Sequence, residues 1–315
     1  MLDSQGGYYK MSMQHEVLVV GSIGLDSIKT PFGEVFDVLG GSAIYFSIAA
    51  SFFTSVKLVG VVGEDFPKQY VELLKKHHID LSGLQTLSGK TFRWKGNYGY
   101  DLNEAITLDT ELNVLANFNP QLPDVYKDIK YVFLANIDPE LQLHVLNQIK
   151  KPEMVVCDTM NFWIHGKRDS LIKTLQRVDI AIMNDTEARE LCQESNLVKA
   201  GRIIRSWGPK RVIIKKGEHG ALMFANGSFF SAPAYPLEEI FDPTGAGDTF
   251  AGGFVGYLAS CGQINDIDMR KAIIYGATMA SFVVEDFSVQ KTSSLNQQEI
   301  KDRYQEFQNI VRFGE

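Results

Sequence analysis

Short apolar runs alternate along most of the chain with longer stretches whose apolar residues recur at helical spacing. Glu16–Val20 (EVLVV) and Val56–Val62 (VKLVGVV) have the composition of buried strands, whereas Asp65–His77 has the spacing of an amphipathic helix. Further strands are predicted at Tyr131–Ala135, Met154–Asp158, Asp179–Met183 and Arg211–Lys215, and further helices at Gly41–Phe53, 139–149, 167–177, 185–206, Ala246–Cys261, Asp266–Val284 and Asn296–Phe313. This alternation predicts an α/β fold with a mainly parallel central sheet and helices on both of its faces.

One region departs from this rhythm. In Thr91–Tyr100 (TFRWKGNYGY) and in Thr107–Val114, apolar and polar residues alternate with a period of two, which is typical of half-buried strands. A turn at Asp101–Ala105 would join them, and Ser27–Val38 would add further strands. Because the region lies between α/β units, we interpret it as an antiparallel flap that covers a substrate. The alternative is a plain extension of the main sheet.

The size and composition of the chain fit one globular domain. Its 315 residues are 45% hydrophobic and 22% charged, which is enough to bury a large core without disulfides or a structural metal. We expect a single domain over residues 15–315, with a small β-sheet lid from about residues 27–38 and 88–115. Residues 1–14 are mostly polar and contain glycine, so we expect them to be disordered.

Charge and cysteine usage exclude several classes of protein. The net charge of -7, from 31 basic and 38 acidic residues, argues against a nucleic-acid partner. There is no apolar run of about 18 residues, so no membrane segment is expected. The three cysteines are far apart and form no CxxC pair, which favours reduced thiols and a cytoplasmic location.

The segment Asp242–Gly253 (DPTGAGDTFAGG) carries the clearest chemistry. Gly245, Ala246 and Gly247 have almost no side chain and lie where a helix is predicted to begin, so their backbone amides can approach an anion. Asp248 lies just inside the first turn. Alone, it could be an ordinary helix N-terminal charge. Beside an anion cradle it is better explained by phosphoryl transfer, in which a carboxylate accepts the proton of the attacking hydroxyl.

Other polar residues follow predicted strands or lie in the flap. Asn136 and Asn161 come soon after apolar strands, at the edge of the sheet where α/β sites form, so they are candidate substrate contacts. Arg93 would face either a ligand or solvent. No G-x-x-x-x-G-K-[ST] motif, dinucleotide fingerprint or HExxH spacing occurs. Phosphate binding would therefore depend on the helix start at 245–247.

Four motifs in order resemble those of the PfkB, or ribokinase-like, carbohydrate kinases, and they span about residues 16–290. They are Gly21–Asp26 (GSIGLD), Gly40–Ala50 (GGSAIYFSIAA) with Val59–Asp65 (VGVVGED), Asn184–Glu187 (NDTE), and Asp242–Asp248 (DPTGAGD) followed by TFAGGF. The resemblance implies a ribokinase-like three-layer α/β sandwich with a small β lid, and it implies ATP and Mg²⁺.

The resemblance also implies roles for individual positions. Asp248 would be the base, and Gly245, Ala246 and Gly247 would form the anion hole. Asn184 and Glu187 would organise Mg²⁺ and phosphates, with Glu187 acting through water. The remaining implied roles are substrate binding at Asp26, a hinge beside the substrate at Gly40 and Gly41, nucleotide contact at Lys216, Gly217 and Gly220, and a monovalent cation such as K⁺ at Asp242 and Thr244. Taken alone, Asn184 and Glu187 could equally be a helix cap with a surface Glu.

The resemblance thus implies an ATP-dependent kinase that phosphorylates a hydroxyl of a sugar-like substrate. A nucleoside kinase, adenosine-like in its chemistry, is the alternative on the same scaffold. A non-catalytic sugar-binding protein is the third interpretation, and an intact Asp248 beside an anion hole argues against it. Lids of ribokinase-like enzymes can pair between subunits. The aromatic residues Phe92, Trp94, Tyr98 and Tyr100 need a covering surface, either a ligand or a second lid, and we expect a homodimer through the lid.

Overall fold

The computed structural model of the chain describes residues 15–225, 227–261 and 264–312; the expected disorder of residues 1–14 concerns a segment outside these ranges. The strands, β1 to β13 in chain order, are Val17–Val20, Gly24–Thr30, Gly33–Gly40, Val56–Gly63, Asp80–Leu87, Phe92–Tyr98, Ala105–Glu111, Tyr131–Leu134, Met154–Cys157, Ile180–Asn184, Arg211–Lys215, Ala221–Ala225 and Ser228–Ala232. The helices, α1 to α11, are Ser42–Ser51, Lys68–Lys76, Pro139–Leu146, Asn161–Gly166, Arg168–Leu175, Asp185–Cys192, Leu197–Ser206, Ala246–Ser260, Asp266–Val283, Gln290–Ser294 and Gln297–Val311.

A large sheet forms the centre of the molecule. Its strands lie in the order β13-β12-β11-β10-β9-β8-β1-β4-β5. The pairs from β11 to β5 are parallel, and β12 and β13 add antiparallel strands at one edge. The predicted mainly parallel sheet is confirmed, although β5, β12 and β13 lie outside the predicted strands.

Helices cover both faces of this sheet, as the sequence predicted. Alternate residues of β1 enter two different cores: Val17 and Val19 enter one, and Leu18 and Val20 the other. The first core also contains buried residues of α1, α2, α8, α9 and α11. The second contains residues of α3, α4, α5, α6 and α7. These layers make a three-layer sandwich in which both faces of the sheet are buried, as is usual for parallel strands.

A second, smaller sheet stands apart from the first, in the order β3-β2-β6-β7. Strand β2 pairs antiparallel with β3 and parallel with β6, and β6 pairs antiparallel with β7. Both segments predicted to form the lid supply these strands. The small sheet connects to the core at Gly40, the last residue of β3, because α1 begins only two residues later.

The predicted helix over 185–206 is wrong in one respect, because it is two helices. Gln193 has a left-handed backbone (φ 50°) that ends α6, and the side chain of Asn196 accepts hydrogen bonds from the backbone N–H groups of Val198 and Lys199 at the start of α7. Polar side chains at a turn compete with helical hydrogen bonding in this way.

The carboxyl ends of the central strands meet at one edge of the large sheet. Asn184 and Lys215 are the last residues of β10 and β11 and lie opposite each other, and Asp158 directly follows β9. This is the edge at which α/β sheets bind ligands. Among the described residues, none of the helices combines the length and apolar character that crossing a membrane requires.

Candidate active site

The beginning of α8 is shaped by glycines. Gly245 precedes the helix with a left-handed backbone (φ 75°), a conformation that glycine adopts without strain. A Cβ at Gly245 would collide with the ring of Tyr45, and one at Gly247 would lie 2.7 Å from Nζ of Lys215. The backbone N–H of Ala246 already donates to the carbonyl of Pro243 (3.1 Å), whereas the rest of this helix start faces a space kept open by missing side chains, which suits an anion.

Asp248 lies in the first turn of α8 and is partly exposed. Burial raises the pKa of its carboxyl group above the ordinary value, the charge of Asp158 raises it further, and the ammonium of Lys215 opposes both effects. A carboxylate with a raised pKa accepts a proton more readily than an ordinary one. The predicted base and the predicted anion hole thus lie on the same helical turn.

Sequence reasoning missed the ion pair between Asp158 and Lys215. Oδ2 of Asp158 lies 2.8 Å from Nζ of Lys215, and Oδ1 accepts a hydrogen bond from the backbone N–H of Thr159. The side chain of Asp158 is 4% exposed and that of Lys215 is 16% exposed. Both residues end central strands, so the pair lies under the beginning of α8. The only signal in the sequence was their position after apolar strands.

Asn184 and Glu187 form a capping box at the start of α6. Oδ1 of Asn184 accepts a hydrogen bond from the backbone N–H of Glu187, and Oε2 of Glu187 accepts one from that of Asn184. Glu187 is nonetheless buried rather than at the surface. Burial raises the pKa of its carboxyl group, and the charge of Asp158 raises it further, while Lys215 lowers it. The two residues therefore cap the helix and also face the same site as Asp248.

Asp242 is fully buried just before α8. Its Oδ1 accepts a hydrogen bond from the backbone N–H of Thr244, and its Oδ2 accepts one from that of Ser288. The hydroxyl of Thr244 is hydrogen-bonded to that of Tyr98 at the end of β6, 3.1 Å away. Burial raises the pKa of the Asp242 carboxyl group, and the hydrogen bonds that it accepts from Thr244 and Ser288 lower it. The loop that leads to the anion hole is thus joined directly to the small sheet.

Asp26 lies on β2, buried among other acidic groups. Burial, followed by the charges of Asp242 and Asp248, raises its pKa from 3.8 to about 8, against a hydrogen bond from the backbone N–H of Gly41. A Cβ at Gly40 would collide with the Asp26 carboxyl group. Gly41 has a φ of 99°, and a Cβ there would lie 2.5 Å from the carbonyl oxygen of Ser22. The three predicted substrate-site residues therefore contact one another.

Tyr45, on α1, was not predicted as a site residue. Its hydroxyl is buried and has no hydrogen-bond partner within the part of the chain that the structure describes. Burial raises the pKa of this hydroxyl, and the charges of Asp26 and Asp242 raise it further. An unpaired buried hydroxyl is costly to stability and suggests a ligand contact. Its one sequence signal was its position in the Gly40–Ala50 motif.

Asn136 continues this site along the sheet edge. The hydroxyl of Ser42 donates to its backbone carbonyl (3.3 Å), and its side-chain oxygen accepts a hydrogen bond from the indole N–H of Trp163 (3.0 Å). Its side-chain amide donates to the sulfur of Met160. The ring of Phe162 packs edge-on against Trp163 and is 60% exposed. Asn136 is thereby joined to a small aromatic surface.

Two other candidates are directed elsewhere. The side chain of Asn161 donates a hydrogen bond to Glu190 on α6 (2.6 Å). The guanidinium of Arg93 makes ion pairs with Asp37 and Asp65 at 3.3 and 2.9 Å. The structure therefore gives each of them partners within the protein and does not bring them to the Asp26–Asp248 cluster.

The loop after β11 contains Lys216, Gly217 and Gly220. The backbone N–H of Lys216 donates to the carbonyl of Gly220 (2.7 Å), which closes a tight turn beside the start of α8. Asn103, in the turn between β6 and β7, donates a side-chain hydrogen bond to Glu218 in this loop. The tip of the small sheet thus touches the loop that the sequence assigns to the nucleotide.

The donor chemistry at this edge fits Mg²⁺ held mostly through phosphates and water. In the described ranges, no group of three or more His, Cys, Asp or Glu is arranged to hold a metal ion by itself. Mg²⁺ commonly binds through one or two carboxylates together with substrate phosphates. Glu187 supplies such a carboxylate beside the anion cradle.

Comparison with known proteins agrees with this geometry. The family model described as pfkB family carbohydrate kinase matches residues 33–296. A cytidine kinase of Thermococcus kodakarensis is 35% identical over 246 residues, which cover 76% of this chain and 87% of the relative.

Solved structures with low sequence identity share the fold. The Burkholderia thailandensis nucleoside kinase in complex with inosine has a TM-score of 0.75 at 20% identity, over 92% of this chain and 97% of that one. A chain from E. coli solved in complex with ATP and Mg²⁺ has a TM-score of 0.76 at 20% identity, over 93% of this chain and 99% of that one.

Proposed function

The chain belongs to the pfkB family of carbohydrate kinases, and from this premise we propose that it transfers the terminal phosphoryl group of ATP to a hydroxyl of a nucleoside. Asp248 is the proposed base, and the amides at Gly245, Ala246 and Gly247 are the proposed anion hole. The position of Asp248 on the helical turn that carries those amides is the observation that supports phosphoryl transfer at this site.

The proposed chemistry follows from what each group can do. Asp248 orients the acceptor hydroxyl and takes its proton as the new oxygen–phosphorus bond forms. The amides at the start of α8 stabilise negative charge on the phosphoryl group during transfer. Asp26 holds other hydroxyls of the acceptor, and the loop at Lys216, Gly217 and Gly220 holds the nucleotide.

Two cations complete the proposal. Mg²⁺, when bound, would neutralise charge along the phosphates, with Asn184 and Glu187 as its proposed partners, Glu187 acting through water. Asp242 and Thr244 are the proposed partners of a monovalent cation such as K⁺. A buried carboxylate beside the entry to the anion hole supports that second assignment, because a nearby cation would lower the cost of burying its charge.

A nucleoside acceptor is favoured over a simple sugar by the surface beside Asn136. A ribose ring held at Asp26 could extend its base over Phe162 and Trp163, and stacking of a base on an aromatic ring contributes about 1–3 kcal/mol. The largely exposed ring of Phe162 packs against Trp163, whose indole N–H is hydrogen-bonded to the polar side chain of Asn136. The 35% identity to a cytidine kinase supports a pyrimidine nucleoside in particular.

A substrate panel tests the proposal. Cytidine, uridine, adenosine, inosine, ribose and fructose would each be offered with Mg-ATP, and ADP release and the phosphorylated product would be measured. We expect cytidine to have the highest kcat/KM. A higher kcat/KM for a free sugar than for every nucleoside would contradict the nucleoside assignment and would favour a sugar kinase instead.

A matched pair of variants tests the aromatic surface. Phe162→Ala should raise KM for the nucleoside about 10-fold, in line with the loss of one stacking contact, and should leave KM for ATP unchanged. Phe229→Ala, at a similarly exposed phenylalanine on β13, should change neither. Equal kinetics for the two variants would exclude Phe162 from base recognition.

A further inference from the structure

Lys215 is a buried cation placed against the proposed anion hole. It is the last residue of β11, and its Nζ lies 2.7 Å from the position that a Cβ of Gly247 would occupy. Because Gly247 has no side chain, nothing of that residue separates the ammonium from the backbone at the start of α8. The cation and the beginning of α8 therefore border the same small space.

The charges around Lys215 keep it protonated. Burial acts to lower the pKa of its ammonium, but Asp158, Glu187 and Asp248 together raise that pKa above the ordinary value. The ion pair with Asp158, at 2.8 Å, fixes the direction of the side chain. A lysine held in this way is a pre-oriented positive charge, which is the kind of group that stabilises a phosphoryl group during transfer.

We propose that Lys215 is a catalytic residue whose ammonium contacts the terminal phosphoryl group of ATP, and that Asp158 is a positioning residue that aims it. This inference rests on the proposed phosphoryl transfer at the start of α8. As the acceptor oxygen bonds to the γ-phosphorus, the bond from that phosphorus to the oxygen of ADP breaks. The acceptor proton goes to Asp248, and Lys215 remains an ammonium throughout.

A purely structural role, as a counter-charge for Asp158, accounts for less of what is observed. A pair of that kind lies just before the other end of β11, where Lys210 lies 2.7 Å from Asp179 with its side chain 72% exposed. Lys215 differs because it is buried and directed at a glycine of the helix start. A counter-ion alone would not require Nζ to lie against Gly247.

Nucleotide binding separates the two roles without any acceptor substrate. Dissociation constants for ADP and for the non-hydrolysable ATP analogue AMP-PNP would be measured by calorimetry with Mg²⁺ present. In Lys215→Met, binding of AMP-PNP should weaken about 10–100-fold, as expected when a charge-assisted hydrogen bond is lost, while binding of ADP changes less than about 2-fold. Lys215→Arg should restore part of the affinity for AMP-PNP.

Further variants keep the test decisive. Since Lys215→Met leaves the Asp158 charge unpaired and can impair folding, the double variant Asp158→Asn, Lys215→Met removes both charges and should show the same selective loss of AMP-PNP binding. Asp158→Asn alone should weaken AMP-PNP binding by a smaller factor, because the ammonium remains but is less well aimed. Lys210→Met, at the exposed pair, should bind both nucleotides normally.

Equal weakening of ADP and AMP-PNP binding, or unchanged binding of both, in a folded Lys215 variant would overturn the proposal. Kinetics with cytidine as the probe add a second measurement: kcat/KM for ATP should fall about 10²–10³-fold, and KM for ATP should rise in step with the weaker binding of AMP-PNP. If cytidine is not phosphorylated by the unaltered enzyme, the proposed substrate is wrong, and the nucleotide binding measurements still decide the role of Lys215.

Discussion

The carboxyl groups of Asp26, Glu187 and Asp248 are withdrawn from water and lie within reach of other negative charges. Each of these conditions disfavours the ionised form, so the folded protein is less stable for keeping them there. Ionisable groups with raised pKa values of this kind are concentrated at functional sites. The ammonium of Lys215 lies nearby and offsets part of this cost in stability.

Replacement of Asp248 by asparagine tests the proposed base at the residue scale. Asp248→Asn keeps the size of the side chain but cannot accept the proton of the hydroxyl, so kcat should fall about 10²–10⁴-fold. Binding of ADP should change little, since the amides of α8 are retained. Asp128→Asn, at an exposed ion pair with Lys150, serves as the control and should keep full activity. A near-normal kcat in Asp248→Asn would refute the assignment.

The raised pKa of Asp26 predicts how stability changes with pH. The folded protein holds the Asp26 proton up to a pKa of about 8, whereas the unfolded chain releases it near 3.8. Between these values the folded state binds more protons, so the contribution of Asp26 to stability falls as pH rises from about 4 to about 8.

Asp26→Asn removes this titration, so its melting temperature relative to the unaltered protein should rise from pH 5 to pH 8. Thermal unfolding of both proteins across this range measures the difference. A constant difference, or one that falls with pH, would show that Asp26 is ionised in the folded protein at neutral pH.

Residues of the motifs could be predicted from the sequence, and partners across the fold could not. Asp248 and its glycines lie in one continuous segment, so the residues that the chemistry requires are adjacent in the sequence. Lys215 and Asp158 are separated by 57 positions and meet only because β9 and β11 end at the same edge of the sheet. Tyr45 lies in a predicted helix, where an aromatic residue is more often part of the core.

Among the elements, the ones with strong periodicity were predicted and the weak ones were not. Strands such as β8 and β9 are continuous apolar runs, which is the expected pattern for a strand buried on both faces. Strand β5 (DLSGLQTL) is mostly half-exposed and contains Gly83, so its pattern resembles a loop. Strand β13 (SFFSA), at the other edge, is mostly exposed and has a weak apolar signal, whereas β12 (ALMFA) is a short apolar run that was not predicted.

The junction between β3 and α1 gives a prediction at the element scale. Gly40→Ala would place a methyl group against the Asp26 carboxyl group, so Asp26 would have to move. We expect KM for the acceptor to rise about 10-fold or more, because a misplaced buried hydrogen-bonding group loses most of its contribution. KM for ATP should stay the same, and the melting temperature should fall.

Gly99→Ala is the matched control for this junction. It lies directly after β6, and within the described part of the chain no heavy atom beyond its two chain neighbours lies within 4 Å of its would-be Cβ. It should leave both KM values unchanged. A fall in melting temperature for Gly40→Ala with normal kinetics would mean that Gly40 only allows close packing, and the predicted hinge at Gly40 and Gly41 would lose its support.

At the scale of the whole molecule, the two sheets differ in how far the rest of the chain covers them. Helices cover both faces of the large sheet, whereas at the edges of the small sheet β7 is mostly exposed and β3 is partly exposed. Of the aromatic residues expected to need a cover, Phe92 packs on Gly24 and Tyr98 bonds to Thr244, whereas Tyr100 is 90% exposed. Further uncovered apolar side chains of the small sheet belong to β3 and β7.

These exposed side chains are the basis for the prediction that the protein forms a homodimer whose interface is the small sheet. Phe36 on β3 and Ile106 and Leu108 on β7 are 63%, 59% and 55% exposed, and edge strands with apolar side chains readily pair with another chain. Light scattering at working concentration should give about twice the monomer mass of 35.3 kDa.

A charge placed on the edge strand would disrupt such a dimer, because it would have to be buried without a partner at the interface. Leu108→Arg should therefore shift the mass to that of a monomer. Val125→Arg, at an apolar residue that is 77% exposed and lies outside the small sheet, should leave the dimer intact. If Val125→Arg also dissociates the protein while Leu108→Arg does not, the interface lies elsewhere. If the unaltered protein already has the monomer mass, the small sheet acts within a single chain, and its exposed edges remain free to move over the substrate.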